Sequence, residues 1–171
     1  MKYQNVEIIR SDRRKRTIQA KDIQGKLHIY LPSGMNEKEE NKWIDKMLKR
    51  MEKQKKKQGL NSKGLLADRA QEMNRKYFGG KLKFEIKYVT NQNSRFGSCT
   101  PKKKTIRVSD RIADTPHWVR DYIIIHELAH LIYPNHSKKF WELVNQYRFA
   151  ERAKGYLIAV GMSSDEEVEG S

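Results

Sequence analysis

The chain has 171 residues, 33% of them charged and 37% hydrophobic, enough for one compact domain with a core or for a domain with an extra arm. No apolar run approaches the length of a bilayer crossing, and a lone cysteine, Cys99, excludes an internal disulfide framework. The formal net charge of +15, from 36 Lys and Arg against 21 Asp and Glu, favours polyanions, though a well-solvated surface accounts for it as readily.

The opening residues MKYQNVEIIRSDRRKR hold no apolar core of the signal-peptide kind, so the expected location is the cytoplasm, with no membrane partner. Residues 1–32 alternate as strands do in VEIIR, RTIQAKD and KLHIYLP, with Gln24-Gly25 as a turn. They predict a small antiparallel meander ended by Pro32. From Asn36 the period becomes helical, with Trp43, Ile44, Met47, Leu48 and Met51 on one face and a capping box from Asn36 and Glu39. This basic helix is expected over 36–58, stopping before Gly59.

A second helix carries Leu65, Leu66, Ala70, Met73 and Tyr77 on one face and stops at Gly79-Gly80. Short strands follow in LKFEIKYV, SRFGSC and KTIRVS. Thr115 and Pro116 are the expected N-cap and first-turn residue of the next helix, and a last helical region spans 137–160. The order implies an α+β fold in one domain over 1–162: strands to 32, the basic helix, then a core over 61–162. The tail at 163–171 is acidic and expected to be disordered.

The stretch IIIHELAHLIYPNHSKKFW carries the chemistry. His126 and His130 are four apart, so a helix stacks them on one face where both imidazoles can hold one Zn²⁺. Glu127 is turned away by about 100°, out of easy reach of the metal but able to touch a water held by it. This HExxH arrangement supplies two ligands and a base. A third ligand is needed, and His136 would lie about 15 Å along a continuous helix. Pro134 and Asn135 break that helix and let His136 fold back. His28 and His117 are read as ordinary strand and helix-start residues.

Together, SRFGSCTPKKKTIRVS, the HELAH block from Pro116 to Trp141 and NHSKKFW resemble the YgjP-like family of zinc metallopeptidase-fold proteins, relatives of the SprT and WLM domains. The resemblance implies a zincin-like fold with a small mixed sheet packed on helices and HExxH on the active-site helix. It also implies zinc ligands at His126, His130 and His136, Glu127 as base, and RFGSC as an edge strand beside the cleft. Phe96 stands where the family usually has tryptophan, and Ser109 where it often has asparagine. The metzincin pattern is excluded, because it needs glycine at the sharp turn where Tyr133 stands.

Three functions are consistent with these features. The first is a zinc-dependent hydrolase of peptide bonds, with the substrate added as a strand along Arg95, Phe96, Gly97 and Ser98. Arg95 is the candidate stabiliser of developing charge, with a surface ion pair or a clamp on the substrate backbone as its alternatives, and Asn135 orients His136, bonds substrate or simply makes the turn. The second attacks the phosphoanhydride bond of a nucleoside triphosphate with the same zinc-activated water. The third is a nucleic-acid-associated binding protein with a structural zinc, gripping its partner through KRMEKQKKKQ and SDRRKR.

Overall fold

The computed structural model describes residues 6–160; the acidic tail lies outside the described residues. The chain divides into two compact units, Met1–Lys56 and Lys57–Ser171. Among the described residues no helix is long and apolar enough to cross a membrane.

The first unit holds β1 (Val6–Ser11), β2 (Gln19–Ile23), β3 (Lys26–Pro32) and the greater part of α1 (Glu37–Ser62). Strand β3 is the most apolar and takes the centre, in the order β1-β3-β2. Its Leu27, Ile29 and Leu31 are buried on one face, against Met47 with Trp43, Ile44, Leu48 and Met51 of α1. Each such fully buried side chain is worth roughly 1.5–3 kcal/mol. Gln24 and Gly25, both at positive φ, close the expected β2–β3 hairpin. The antiparallel meander, however, needs correcting: β1 pairs with β3 in parallel, Val6 beside Leu27 through Ser11 beside Pro32. Residues 12–18 must cross from one edge of the sheet to the other, a span too wide for a tight turn. There the guanidinium of Arg14 lies 5.0 Å from the Tyr30 ring centre.

Helix α1 begins as expected, the Asn36 side chain accepting the Glu39 N–H at 2.9 Å. It does not stop before Gly59 but runs on to Ser62. A glycine costs a helix interior about 1 kcal/mol. Against that, Asn61 makes two hydrogen bonds to the backbone of Tyr88, accepting at 2.9 Å and donating at 3.1 Å.

The second unit continues with α2 (Leu65–Phe78), β4 (Glu85–Val89), β5 (Gly97–Thr100), β6 (Thr105–Ser109), α3 (His117–Ala129), α4 (Lys138–Val144) and α5 (Ala150–Ala159). Gly79 ends α2 in the left-handed conformation, and the Gly80 N–H returns to the Asn74 carbonyl at 3.0 Å, closing the last turn. The sheet order is β4-β6-β5, β4 parallel and β5 antiparallel to the central β6. Strand β5 is therefore an edge, as the resemblance implied, and it begins at Gly97, so Arg95 precedes it.

Helix α3 is the axis of this unit, with Val119, Ile124, Ile125, Leu128 and Ala129 almost wholly buried. It starts one residue later than expected. Thr115 gives its hydroxyl proton to the Ile112 carbonyl at 2.8 Å instead of capping, and Pro116 takes the cap position. Arg69 of α2 grips Asp121 of α3 with two guanidinium hydrogen bonds, which accounts for a carboxylate that is 3% exposed. The expected last helical region is two helices, separated by residues 145–149.

Candidate metal centre and its cleft

The sequence places His126 and His130 one helical turn apart on α3, with His130 at the helix C-cap. The chain then leaves the helix in a tight turn, the Tyr133 N–H bonding back to the Ala129 carbonyl at 2.9 Å. Pro134 and Asn135 redirect it, and the Asn135 carbonyl accepts the Ser137 N–H at 2.9 Å. This brings His136 over His126. The Nε2 atoms of His130 and His136 lie 3.2 and 3.3 Å from Nε2 of His126, and the three rings offer nitrogens that all fall within 4.8 Å of one another.

That spacing fits a metal. A tetrahedral ion with metal–nitrogen bonds of about 2.0–2.1 Å sets its ligands about 3.3–3.4 Å apart. The tautomer fits as well. His130 Nδ1 lies 3.2 Å from the Tyr133 carbonyl, an oxygen that only accepts, so Nδ1 carries the proton and the Nε2 lone pair is left to point at the ion.

Aromatic rings pack closely around the cluster. Phe140, completely buried, has its ring centre 4.6–4.9 Å from those of all three histidines. Trp141 stacks on His136 at 5.4 Å. Ser137 starts α4 by accepting the Phe140 N–H at 3.4 Å, which fixes both aromatics just after the third histidine. The aromatic pair after NHS thus clamps the His136 loop against α3.

Glu127, on the adjoining face of α3, is 5% exposed and borders the same cavity of about 370 Å³ as the histidines. Its position depends on Gly97 of the edge strand. A Cβ built on Gly97 would lie 2.3 Å from Glu127 Oε1 and 2.6 Å from its Cδ, inside any allowed contact. The carboxylate occupies the space a side chain at residue 97 would fill.

Arg95, Phe96, Gly97 and Ser98 all line this cavity, so the whole sequence-read segment faces the histidines. Arg95 is exposed and Phe96 buried, the Phe96 carbonyl accepting the Ser109 N–H at 2.7 Å. Ser109, fully buried, also donates its hydroxyl to the Gln92 carbonyl at 3.2 Å and so holds the approach to β5. Gln92 in turn donates to the Ser98 hydroxyl at 2.6 Å. Asn135 does not line the cavity: it is exposed and makes the turn. His117 is exposed and lines a different recess, and His28 belongs to β3 of the first unit.

Sequence reasoning missed the far wall, formed by Lys154, Leu157 and Ile158 of α5. Ile158 is 52% exposed, a large apolar side chain left at the cleft. The run YLIAV, more apolar than one packed helix face requires, was the available signal. The Tyr133 carbonyl had no signal, since it is backbone. Cys99 also borders the cleft, its thiol pushed up to about 12 by burial and then by the nearby Glu127 charge. It stays a neutral thiol, as a half-buried strand cysteine should.

This arrangement has relatives. The family model described as YgjP-like, metallopeptidase domain, matches residues 36–149. The chain belongs to the YgjP-like metallopeptidase family. Among solved structures it is similar to the zymogen of abylysin from Pyrococcus abyssi, with a TM-score of 0.51 and 20% identity, over 58% of this chain and 97% of that one. It is also similar to the zymogen of jannalysin from Methanocaldococcus jannaschii, with a TM-score of 0.49 and 21% identity, over 56% and 95%. No curated protein matches. The abylysin likeness is one of fold, and it agrees with the zincin-like α+β architecture. In this YgjP-like chain the match begins at the start of α1 and ends just before α5.

Proposed function

We propose that the protein is a zinc-dependent peptidase in which Glu127 is the general base and His126, His130 and His136 hold the ion. The observation that carries this reading is the convergence of three imidazoles, two of them 3.2–3.3 Å from the third, beside a buried glutamate and a strand edge uncovered among the described residues. Three neutral nitrogens suit zinc, and the ion when bound would acidify a water and polarise a carbonyl. A structural site would have no use for the glutamate.

The chain's own groups then have distinct tasks. An extended peptide adds along β5, whose outer edge no strand covers among the described residues, and backbone hydrogen bonds set its register. Glu127 takes a proton from the attacking water, whose oxygen bonds to the scissile carbonyl carbon. As the carbon–nitrogen bond breaks, the same carboxylic acid returns the proton to the leaving amine. Arg95, at the cleft mouth, supplies positive charge toward the oxygen that becomes negative.

The test is zinc-loaded protein against a mixture of unstructured peptides and nucleoside triphosphates, with products read by mass spectrometry. The expected result is new peptide ends, formed roughly 10²–10⁴-fold more slowly by Glu127→Gln. Nucleoside monophosphate formed in their place would overturn the peptidase reading in favour of phosphoanhydride hydrolysis.

A further inference from the structure

On the face of α1 that turns away from its sheet, a strip about 80° wide is made only of lysine, bordered at about 60–80° from its midline by Glu39, Asp45 and Glu52. At 100° per residue, with Lys42 as zero, Lys38, Lys42, Lys46, Lys49, Lys53 and Lys56 fall within about 40° of one line. No other residue between Glu37 and Lys57 does. The residues packed on β3, from Trp43 to Met51, fall at about 100–240°, the opposite side. All six lysines are exposed, and the row extends about 27 Å.

Two neighbours confirm that the helix is so turned. Lys55, at about 220°, reaches the sheet and pairs with Asp22 at 2.7 Å. Glu40, at about 160°, lies on the opposite side, held by Nε and one terminal guanidinium nitrogen of Arg10 at 2.8 Å. Within the strip the charges repel, and only its acidic border, Asp45 before Lys49 and Glu52 before Lys56, offsets this. Like charges three or four residues apart destabilise a helix by about 0.2–0.5 kcal/mol a pair, and alternating signs would have solvated it equally well.

We propose that this row is a docking surface for the phosphate backbone of double-stranded nucleic acid, bound without regard to sequence. A duplex is a rigid polyanion with a charge about every 1.7 Å of axis, so a straight row this long meets phosphates at every lysine. Lysine is a point charge without the fork that reads a base edge, which accounts for the lack of sequence preference. The aromatic of this helix, Trp43, is half-buried against β3 with the Lys46 ammonium 4.3 Å from its ring centre, so it is no open platform for the bases of a single strand. Nor can the helix lie in a membrane surface, because its apolar face is already covered by β3.

The test measures anisotropy of a labelled DNA duplex of about 20 bp against the full-length protein as salt is raised. Six phosphate contacts predict a log–log slope of about −5.4, a loss of affinity of about 2,000-fold between ~50 and ~200 mM salt. Replacing Lys42, Lys46, Lys49 and Lys53 by glutamine, a residue of similar helix propensity, should remove about 3.6 of that slope with unchanged circular dichroism. Removing the same charge elsewhere, as Lys81→Gln, Lys83→Gln, Lys102→Gln and Lys103→Gln, should leave the slope in place. Equal losses in the two variants would overturn the assignment to α1. So would no binding at ~50 mM salt, or displacement of the duplex by poly-glutamate or by phosphatidylserine vesicles at equal charge.

Discussion

The two units contain the same small sheet built twice. Each has three strands with the last in the middle, the first parallel to it and the second antiparallel. The crossing segments, residues 12–18 and 90–96, are equal in length. The contents then diverge. In the first unit the central strand buries Leu27, Ile29 and Leu31 under a helix whose outer side is lysine. In the second, the antiparallel edge strand lies beside α3, and its first residue is a glycine against which Glu127 rests. Topology alone therefore assigns no chemistry. What distinguishes the units is which side chains a helix turns toward the sheet, and whether the edge strand leaves room for one of them.

The sharpest way to break the second unit without touching the first is Phe140→Ala. The ring is fully buried and meets all three histidines, so its removal leaves a cavity under the metal centre. The expected cost is about 3–5 kcal/mol of stability by urea unfolding, with weaker zinc retention in the protein that remains folded. The hairpin and helix of the first unit should keep their amide-exchange protection.

A finer separation comes from Gly97→Ala. The new methyl competes with the Glu127 carboxylate for one volume, and the Glu127 side chain has to yield. A displacement of about 1 Å at a catalytic group costs on the order of 10²-fold in kcat. On the proposed reading metal stoichiometry should be unchanged, because the histidines do not touch that glycine. An active Gly97→Ala enzyme would show that the carboxylate position seen here is not the working one.

How much of this the sequence revealed depended on whether the information was local. The three histidines, Glu127, the break at Pro134 and the cap at Asn36 are decided within a helical turn or two, and spacing alone locates them. The parallel pairing of β1 could not be read in this way. Alternation in VEIIR marks a strand but says nothing about which edge of KLHIYLP it joins. The end of α1 is hidden for the same reason, since Gly59 is a local signal and the two Asn61–Tyr88 bonds that outweigh it join residues 27 apart in sequence. The α5 wall of the cleft is also remote from the motif it faces. At Gly97, the segment was recognised as part of the cleft, but a glycine in the sequence does not name the side chain that needs its space.

The smallest effect expected separates the units by pH. In the first, Arg10 hydrogen-bonds and charge-pairs with Glu40 and holds its carboxyl below the ordinary 4.5. A carboxyl lowered in the folded state contributes stability that is complete above the unfolded value and is lost as pH falls through the lowered one. The pair should therefore help the β1–β3–α1 packing at neutral pH and give it an acid limb below about pH 4.5. In Glu40→Gln the neutral-pH stability of this unit should fall slightly, and its decline between pH 5 and 3 should become shallower. Amide exchange at Ile29 and Leu31 reads this unit, and exchange at Ile124 and Ile125 reads the other as a control. An acid limb that stays as steep in the variant would place the titrating carboxylate elsewhere, and equal changes at both sets of amides would show that the two sheets unfold as one.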